Sequence, residues 1–464
     1  MAKWSNKMIG ETICALATAA VESGIGIIRI SGSEAVSIAS KFIRSKSGKP
    51  IDISVSHRVK YGFVFSDGEP LDEVLVLTML APKSFTGEDT VEIDCHGGVL
   101  MMKKILEVVL KHGARLADPG EFTKRAFLNG RMDLSEAEAV GDLINSENDF
   151  ALKASINQLR GSVSDKIKKF RAQILEDDAF IEAALDDPEH ISLDGFKFNL
   201  EKHVRDIISE VEYLIASCDD GKRLKEGIRT VILGKPNAGK SSLLNLLVGS
   251  ERAIVTEIAG TTRDTLEEHI NLKGISLTIV DTAGIRETDD TVEKIGVERA
   301  LGAADDADLI IYVVDSSVPL DDADLKIISR IQDRNAIVLL NKSDLDQVIE
   351  RSKLEELTHT SVTQISAKNN YGIDKLEAEI ASMFFSSKIN FNDQVVITNL
   401  RHKNCLINAN NALHEVINSI KLDMPEDFFT IDLMRAYEEL GYILGEEVSE
   451  DLINEIFSKF CMGK

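Results

Sequence analysis

Gly234-Lys-Pro-Asn-Ala-Gly239-Lys240-Ser241, in the middle of the chain, decides the fold. The run follows an apolar segment, Ile228–Leu233, and opens a stretch of helical texture. Its spacing is Gly, four residues, Gly, Lys and then Ser or Thr, the pattern of a phosphate-binding loop. Such a turn aims backbone N–H groups at phosphate oxygens at the start of a helix. Asn237, Ala238, Gly239, Lys240, Ser241 and Ser242 are the residues predicted to meet the phosphates. Lys240 neutralises β/γ charge and the Ser241 hydroxyl can ligate Mg²⁺.

Outward from that loop, residues 228–385 alternate apolar strands with helices, which predicts a parallel sheet wrapped on both faces. The expected strands are Ile228–Leu233, Ile275–Val280, Leu309–Val314, Ala336–Leu340 and Val362–Ile365. Three further elements follow in order. In Asp281-Thr282-Ala283-Gly284 a carboxylate can reach toward Mg²⁺ and the Gly284 amide can sense a γ-phosphate. In Asn341-Lys342-Ser343-Asp344 the last carboxylate can accept both guanine N1–H and N2–H, a donor pair that adenine lacks. Ser366-Ala367-Lys368 can support the base through backbone amides. The set reads as a guanine-nucleotide hydrolase.

The hydrolytic step needs explanation, because a Gln that orients water often follows the Asp-x-x-Gly motif, whereas this chain has Ile285. Arg263 and Arg286 are candidates for a finger in cis. A monovalent cation beside the β–γ bridge would neutralise developing charge. Asn237 offers a side-chain carbonyl for it, and the loop Thr256–Thr262, including Thr261, offers backbone ones. Thr262 suits a switch threonine that closes on Mg²⁺, and Glu287 and Glu293 are both placed to hold the water.

The chain has 464 residues, so two to four domains are expected. Net charge is −24, which excludes a globally basic nucleic-acid binder. Residues 1–130 are nonetheless balanced, with 16 Lys and Arg against 15 Asp and Glu, so a local basic groove stays open. Five scattered cysteines without a CxxC pair fit a reducing cytoplasm and argue against structural zinc. No run of about 18 apolar residues suits a membrane span. Lys3 and Lys7 precede Met8–Val21, but Glu11 and Thr12 interrupt it, which reads against a secretory signal.

The N-terminal part is mixed α/β. Strands are expected at Gly26–Ser31, Arg58–Phe65, Glu73–Leu80 and Thr90–Cys95, helices at Glu34–Phe42 and Val99–His112, and a turn at Ser66-Asp67-Gly68. Asp133-Leu-Ser-Glu136 fits a capping box that opens a long helical region to about Leu185, broken at Gly161 and ended by Pro188. A further helix is expected over Leu200–Ser217. Near the C-terminus Leu452, Ile453, Ile456, Phe457 and Phe460 make an apolar stripe, which Cys461 would continue as a packed residue. Segments 126–222 and 386–464 share this helical texture, so they are expected to pack as one domain around the inserted α/β unit.

Taken whole, the chain resembles the MnmE (TrmE) family of tRNA-modification GTPases. The likeness rests on the nucleotide motifs and on Gly26-Ile-Ile-Arg-Ile-Ser-Gly32, Phe85-Thr-Gly-Glu-Asp89, His96-Gly-Gly98 and Pro119-Gly-Glu-Phe122. Arg125-Ala-Phe-Leu-Asn129, Arg131-Met-Asp-Leu134, Thr256-Glu-Ile-Ala-Gly-Thr-Thr-Arg-Asp264 and Cys461-Met-Gly-Lys464 complete it. The resemblance implies an α/β multidomain protein. Residues 1–125 would form an α+β folate-binding-like and dimerisation domain. Residues 126–222 and 386–464 would form the two-segment helical domain, and 223–385 an inserted Ras-like P-loop G domain.

It further implies a GTP-hydrolysing component that builds an aminomethyl-type (carboxymethylaminomethyl) group at C5 of the wobble uridine of certain tRNAs. The implied partners are tRNA, a second copy of the chain in a homodimer, and the flavoprotein MnmG (GidA), which brings the FAD; no membrane is implied. A tetrahydrofolate derivative, in the 5-formyl or 5,10-methylene form, supplies the one-carbon unit through Arg29, Glu88, Arg131 and Lys464. K⁺ would sit on Asn237 and the backbone of Thr256, Ile258 and Thr261, Mg²⁺ on Ser241 and Thr262, and Glu293 would act through water. Cys461 is marked as functional without a defined role. One departure is Ala17-Thr-Ala-Ala-Val-Glu-Ser-Gly24, where the family is expected to carry Ala-Thr-Pro and glycines. Read from its residues alone, Arg29 is an odd charge in an Ile-rich strand and faces a pocket or partner, while Glu88 sits in a turn.

Two other readings compete. A ribosome-assembly or stress GTPase would append a basic RNA-binding module, and no KH-type GxxG stands between suitable elements. A membrane-remodelling GTPase would show a basic amphipathic helix, which is not evident. Lys166, Lys168, Lys169 and Arg171 form a cationic cluster that could touch tRNA or merely face solvent.

Overall fold

The computed structural model describes residues 10–146, 148–192, 195–249, 268–272, 275–280, 302, 304–384, 395–461 and 463. The chain divides into two compact units. One comprises Met1–Asn145, Ser155–Glu212 and Asn404–Lys464, and the other Ser146–Ala154 and Tyr213–Lys403.

In the first unit the described strands are β1 (Ile13–Leu16), β2 (Ile25–Ser31), β3 (Ile43–Arg44), β4 (Arg58–Ser66), β5 (Glu69–Met79), β6 (Thr90–His96) and β7 (Arg115–Leu116). They form one sheet in the order β3-β4-β5-β6-β2-β1-β7. Alternation sorts the faces: Ile28, Ile30, Val74, Val76, Val91 and Ile93 are buried in a common core with helices Ala35–Phe42 and Val99–Lys111. The opposite parity places Arg29 beside Glu92 across the antiparallel β2–β6 pair. Asp67 and Gly68 link β4 to β5 as a two-residue turn, both with positive φ (50° and 91°), the geometry that matches strand twist. The expected strands are all present; β1, β3 and β7 are additional.

Helix Leu134–Ile144 opens with the expected capping box. Asp133 accepts from the Glu136 N–H at 3.1 Å, and Glu136 accepts from the Asp133 N–H at 2.9 Å. Gly161 is left-handed at φ 91° and starts helix Ser162–Asp186, which runs along Asp427–Leu444. The cationic cluster on this helix is not a free basic face. Arg171 is buried, gives both NH groups to Glu446 (2.5 and 2.6 Å) and lies 3.9 Å from the Tyr437 ring centre, while Lys166 pairs with Glu210.

Helix Glu450–Ser458 buries Ile453 and Phe457 against Leu134, Ala137 and Val140. The expected continuation of its stripe to Cys461 fails: the helix ends at Ser458 and Cys461 is exposed. Helix Phe196–Glu226 is also longer than expected. Gly221 does not break it, because a Cβ there would stand 2.5 Å from the Ile397 carbonyl oxygen; close packing requires the glycine.

The second unit is built on a sheet whose described strands are β8 (Ile228–Leu233), β9 (Glu268–Leu272), β10 (Ile275–Ile279), β11 (Leu309–Asp315), β12 (Ala336–Asn341) and β13 (Val362–Gln364). Their order is β13-β12-β11-β8-β10-β9, all pairs parallel except β10–β9. Every residue of β11 and β12 is buried, as a parallel sheet covered on both faces demands. One apolar cluster gathers Ile232, Leu243 and Ile337, the other Val231, Ile328 and Val338. The missed strand, β9, is the antiparallel edge.

Candidate functional site

The phosphate-type loop lies where β8 gives way to helix Lys240–Gly249. Its path requires unusual backbone: Gly234, Asn237 and Gly239 have φ of 151°, 61° and 101°. A Cβ at Gly234 would stand 2.4 Å from the Val313 carbonyl oxygen, and one at Gly239 would stand 2.1 Å from Asn341 Nδ2. Both glycines are therefore fixed by close approach as well as by φ. Lys240 Nζ donates to the Gly234 and Lys235 carbonyls (2.9 and 2.8 Å), which holds its ammonium across the loop. Ser241 and Ser242 are exposed in the first turn of the helix, and Asn237 is exposed in the loop.

Asn341 joins three motifs. Its amide donates to the Ala238 carbonyl at 2.9 Å, and its carbonyl accepts from the Ala367 N–H at 3.1 Å. With only 2% of Asn341 exposed, these bonds fasten the phosphate loop to the Ser366–Lys368 loop. Asp344 is exposed and accepts from the Ser366 hydroxyl at 2.6 Å, which holds its carboxyl below the usual range. It is thus ionised at neutral pH, with lone pairs left for two N–H donors. Lys342, left-handed at φ 62°, reaches Asp315 at 2.5 Å. Burial works against ionising Asp315, but the bonds from Lys342 and Ser317 win and its pKa is lowered.

Sequence reasoning missed a tether on the other side of the loop. Lys235 Nζ lies 2.7 Å from Asp324 and 3.0 Å from Asp321. Buried Asp324 also accepts from the Tyr312 hydroxyl at 2.8 Å. The signal was present, since Asp321-x-x-Asp324 is a capping box at the start of helix Asp322–Ile331.

Thr256, Ile258, Thr261, Thr262, Arg263, Asp281, Thr282, Ala283, Gly284, Arg286, Glu287, Glu293 and Lys464 lie outside the described residues.

Two of the residues marked by resemblance in the first unit, Arg29 and Arg131, meet at Phe85. The Arg29 guanidinium is 5.8 Å from that ring centre and the Arg131 guanidinium 5.6 Å. Arg29 Nε donates to Glu92 at 2.7 Å, and its NH1 donates to the Gly463 carbonyl at 3.3 Å. Gly463 has φ 88°, and a Cβ there would stand 2.1 Å from the Leu16 carbonyl oxygen, so this position meets the end of β1 only as glycine. Glu88 accepts from the Ser31 hydroxyl at 2.9 Å and from Arg125 at 3.0 Å. Arg125 also meets Glu121 at 2.9 Å, and Glu121 meets Arg115 at 2.7 Å. Burial pushes the Glu121 pKa up, but bonds from Arg115, the Asp118 N–H and Arg125 outweigh it and hold the carboxyl low. This charged lattice was also missed, although Glu121 and Arg125 stand four apart on one helix.

A parallel sheet that ends in these joined loops accepts a nucleoside triphosphate and can test its base, which defines a P-loop GTPase. Two family models match: "GTP-binding protein TrmE N-terminus" over residues 12–131 and "MnmE helical domain" over residues 134–461. The "tRNA modification GTPase MnmE" of Lachnoclostridium phytofermentans is 58% identical over 98% of this chain and 99% of its own length. The protein of that name from Clostridioides difficile is 47% identical over 98% and 100%. Among solved structures, the G domain of the T. maritima FeoB iron transporter is 24% identical and covers 33% of this chain and 97% of its own, with a TM-score of 0.25. Aquifex aeolicus Era is 26% identical over 40% and 66%, with a TM-score of 0.26. The chain belongs to the MnmE family of tRNA modification GTPases.

Proposed function

We propose that the protein hydrolyses GTP to drive assembly of a carboxymethylaminomethyl-type substituent at C5 of the wobble uridine, working in the cytoplasm as a homodimer with the flavoprotein MnmG, which carries the FAD. The observation that carries the GTP half is Asn341, whose two buried bonds hold the phosphate loop and the base-reading loop together beside Asp344. The domain division proposed is 1–125, 126–222, 223–385 and 386–464.

In the G domain, Ser241 and Thr262 would hold Mg²⁺. Asn237 with the backbone of Thr256, Ile258 and Thr261 would hold K⁺, Glu293 would position the attacking water through its hydrogen bonds, and paired G domains would complete the site. The exposed Asn237 carbonyl and the Ser241 hydroxyl suit hard, oxygen-seeking cations. Mg²⁺ and K⁺ would add charge neutralisation to that of Lys240, at a site where Ile285 offers no polar group.

In the first unit, Arg29, Arg131, Glu88 and Lys464 would hold a tetrahydrofolate derivative, the source of the one-carbon unit. Two guanidinium groups beside one aromatic ring suit an acidic ligand that carries its own ring. Exposed Cys461, two residues from the Gly463 carbonyl that Arg29 holds, borders that cluster in sequence.

The test is nucleoside profiling of tRNA from cells with and without the gene. Loss of the C5 substituent is expected; an intact substituent would overturn the proposal.

A further inference from the structure

The family reading says nothing of where tRNA touches this chain, and a net charge of −24 means that any contact with RNA phosphate must be local. Between Glu34 and Asp52 there is no carboxylate, yet Lys41, Arg44, Lys46 and Lys49 all lie there. The fold concentrates this segment. Arg44 ends β3, and Ser45–Lys49 closes into a tight turn: the Ser45 N–H donates to the Lys49 carbonyl, and the Gly48 N–H to the Ser45 carbonyl, both at 2.8 Å. Gly48, Arg44 and Lys41 line one side of a groove of about 460 Å³ whose other side is Lys111, His112 and the Asp67–Gly68 turn.

The cations divide into two kinds. Arg44 donates to the Ser40 and Lys41 carbonyls (2.8 and 2.7 Å), and Lys41 donates to the His112 carbonyl at 3.1 Å. They cancel the negative ends of helices Ala35–Phe42 and Val99–Lys111, which would otherwise repel phosphate. Lys111 is taken by Asp67 at 2.6 Å. Lys46 and Lys49 are exposed and have no ion-pair partner among the described residues. They are the surplus charge, presented on a hydrogen-bonded turn at the mouth of the groove.

We infer that this turn and groove form a docking surface for the phosphodiester backbone of the tRNA substrate. The inference rests on the tRNA half of the proposed function. RNA is favoured over an anionic membrane because the turn is Ser45-Lys-Ser-Gly-Lys49, without the apolar side chains that interfacial binding inserts.

The test is fluorescence anisotropy of labelled tRNA with the full chain across a salt series. Lys46→Glu/Lys49→Glu is compared with wild type and with Lys326→Glu/Lys353→Glu, exposed lysines of the other unit. Each lost phosphate contact lowers the salt slope by about 0.7–0.9, so the double variant should bind at least about tenfold more weakly with a slope reduced by about 1.5. Its melting temperature and tRNA-free GTP turnover should equal wild type, and the Lys326/Lys353 variant should bind normally. Unchanged affinity and slope, with wild type binding tRNA, overturns this surface and leaves the tRNA reading standing. No binding of tRNA by wild type removes both. Equal loss in the two variants overturns the inference in favour of a long-range charge effect. Capture by anionic vesicles that is lost in Lys46→Glu/Lys49→Glu and is not displaced by tRNA likewise overturns it.

Discussion

Replacing Asn341 by alanine probes the joint on which nucleotide binding depends. The side chain makes two bonds, to the Ala238 carbonyl (2.9 Å) and from the Ala367 N–H (3.1 Å), and both partner residues are buried. Each bond contributes about 1 kcal/mol net, and each orphaned backbone group can add a desolvation cost on the order of 1 kcal/mol. The expected penalty is therefore about 2–4 kcal/mol, borne by two loops that are no longer preorganised. At about 1.4 kcal/mol per decade, guanine-nucleotide affinity should fall roughly 30- to 700-fold. Equilibrium titration with a fluorescent GDP analogue reads the loss directly, with circular dichroism melting to confirm that the unit still folds. Asn341→Asp keeps the acceptor but loses the donor, so it too should bind weakly. Affinity within about threefold of wild type for Asn341→Ala would refute the idea that this side chain couples the loops.

Hydrolysis should be much faster in K⁺ than in Na⁺, and Asn237→Gly should erase that difference without the backbone strain that alanine would meet at φ 61°; equal rates in both salts for wild type would contradict the ion assignment. Glu121→Gln should cost about 3 kcal/mol in chemical unfolding at neutral pH, because it strips a buried partner from Arg125. Since the folded-state pKa of Glu121 is lowered, wild type gains this stability above the ordinary carboxylate range and loses it as pH falls through the depressed value, where the two proteins should converge. Gly463→Ala should push the C-terminal tail off β1, because of its 2.1 Å approach to the Leu16 carbonyl and its positive φ; hydrogen exchange at Leu16–Ala17 and weaker folate binding would report it, and unchanged behaviour in both would contradict the tail's placement.

The second unit was the more legible in the sequence. Strands buried on both faces, such as Leu309–Asp315 and Ala336–Asn341, must be continuous apolar runs, and phosphate geometry demands glycine at set spacings. The antiparallel edge Glu268–Leu272 lacked that signal because an edge strand needs only one buried face. In the first unit the long hairpin strands were plain, whereas Ile13–Leu16 was hidden inside an Ala-rich stretch that resembled neither period clearly. Cys461 shows the limit of extending a helical stripe beyond the helix that carries it. The helix expected to end at Ser217 runs on to Glu226 and retains Gly221 for close packing. The charged lattice of Arg115, Glu121, Arg125 and Glu88 depends on residues from separate elements meeting, which no local pattern contains. For the tether of Lys235 to Asp324, the capping box at Asp321 and Asp324 was legible, but its meeting with Lys235 from a separate element was not.

Base selection is the central claim, and Asp344 is the group that makes the choice. Catalytic efficiency with GTP, ATP and xanthosine triphosphate should be measured for wild type and Asp344→Asn. Wild type should prefer GTP over ATP by a factor on the order of 10⁴, the scale set by a site whose acceptor would otherwise go unpaired. Asp344→Asn should lose GTP and gain xanthosine triphosphate, whose O2 accepts the new amide donor. Equal use of GTP and ATP by wild type, or an unaltered preference for GTP in Asp344→Asn, would contradict the account.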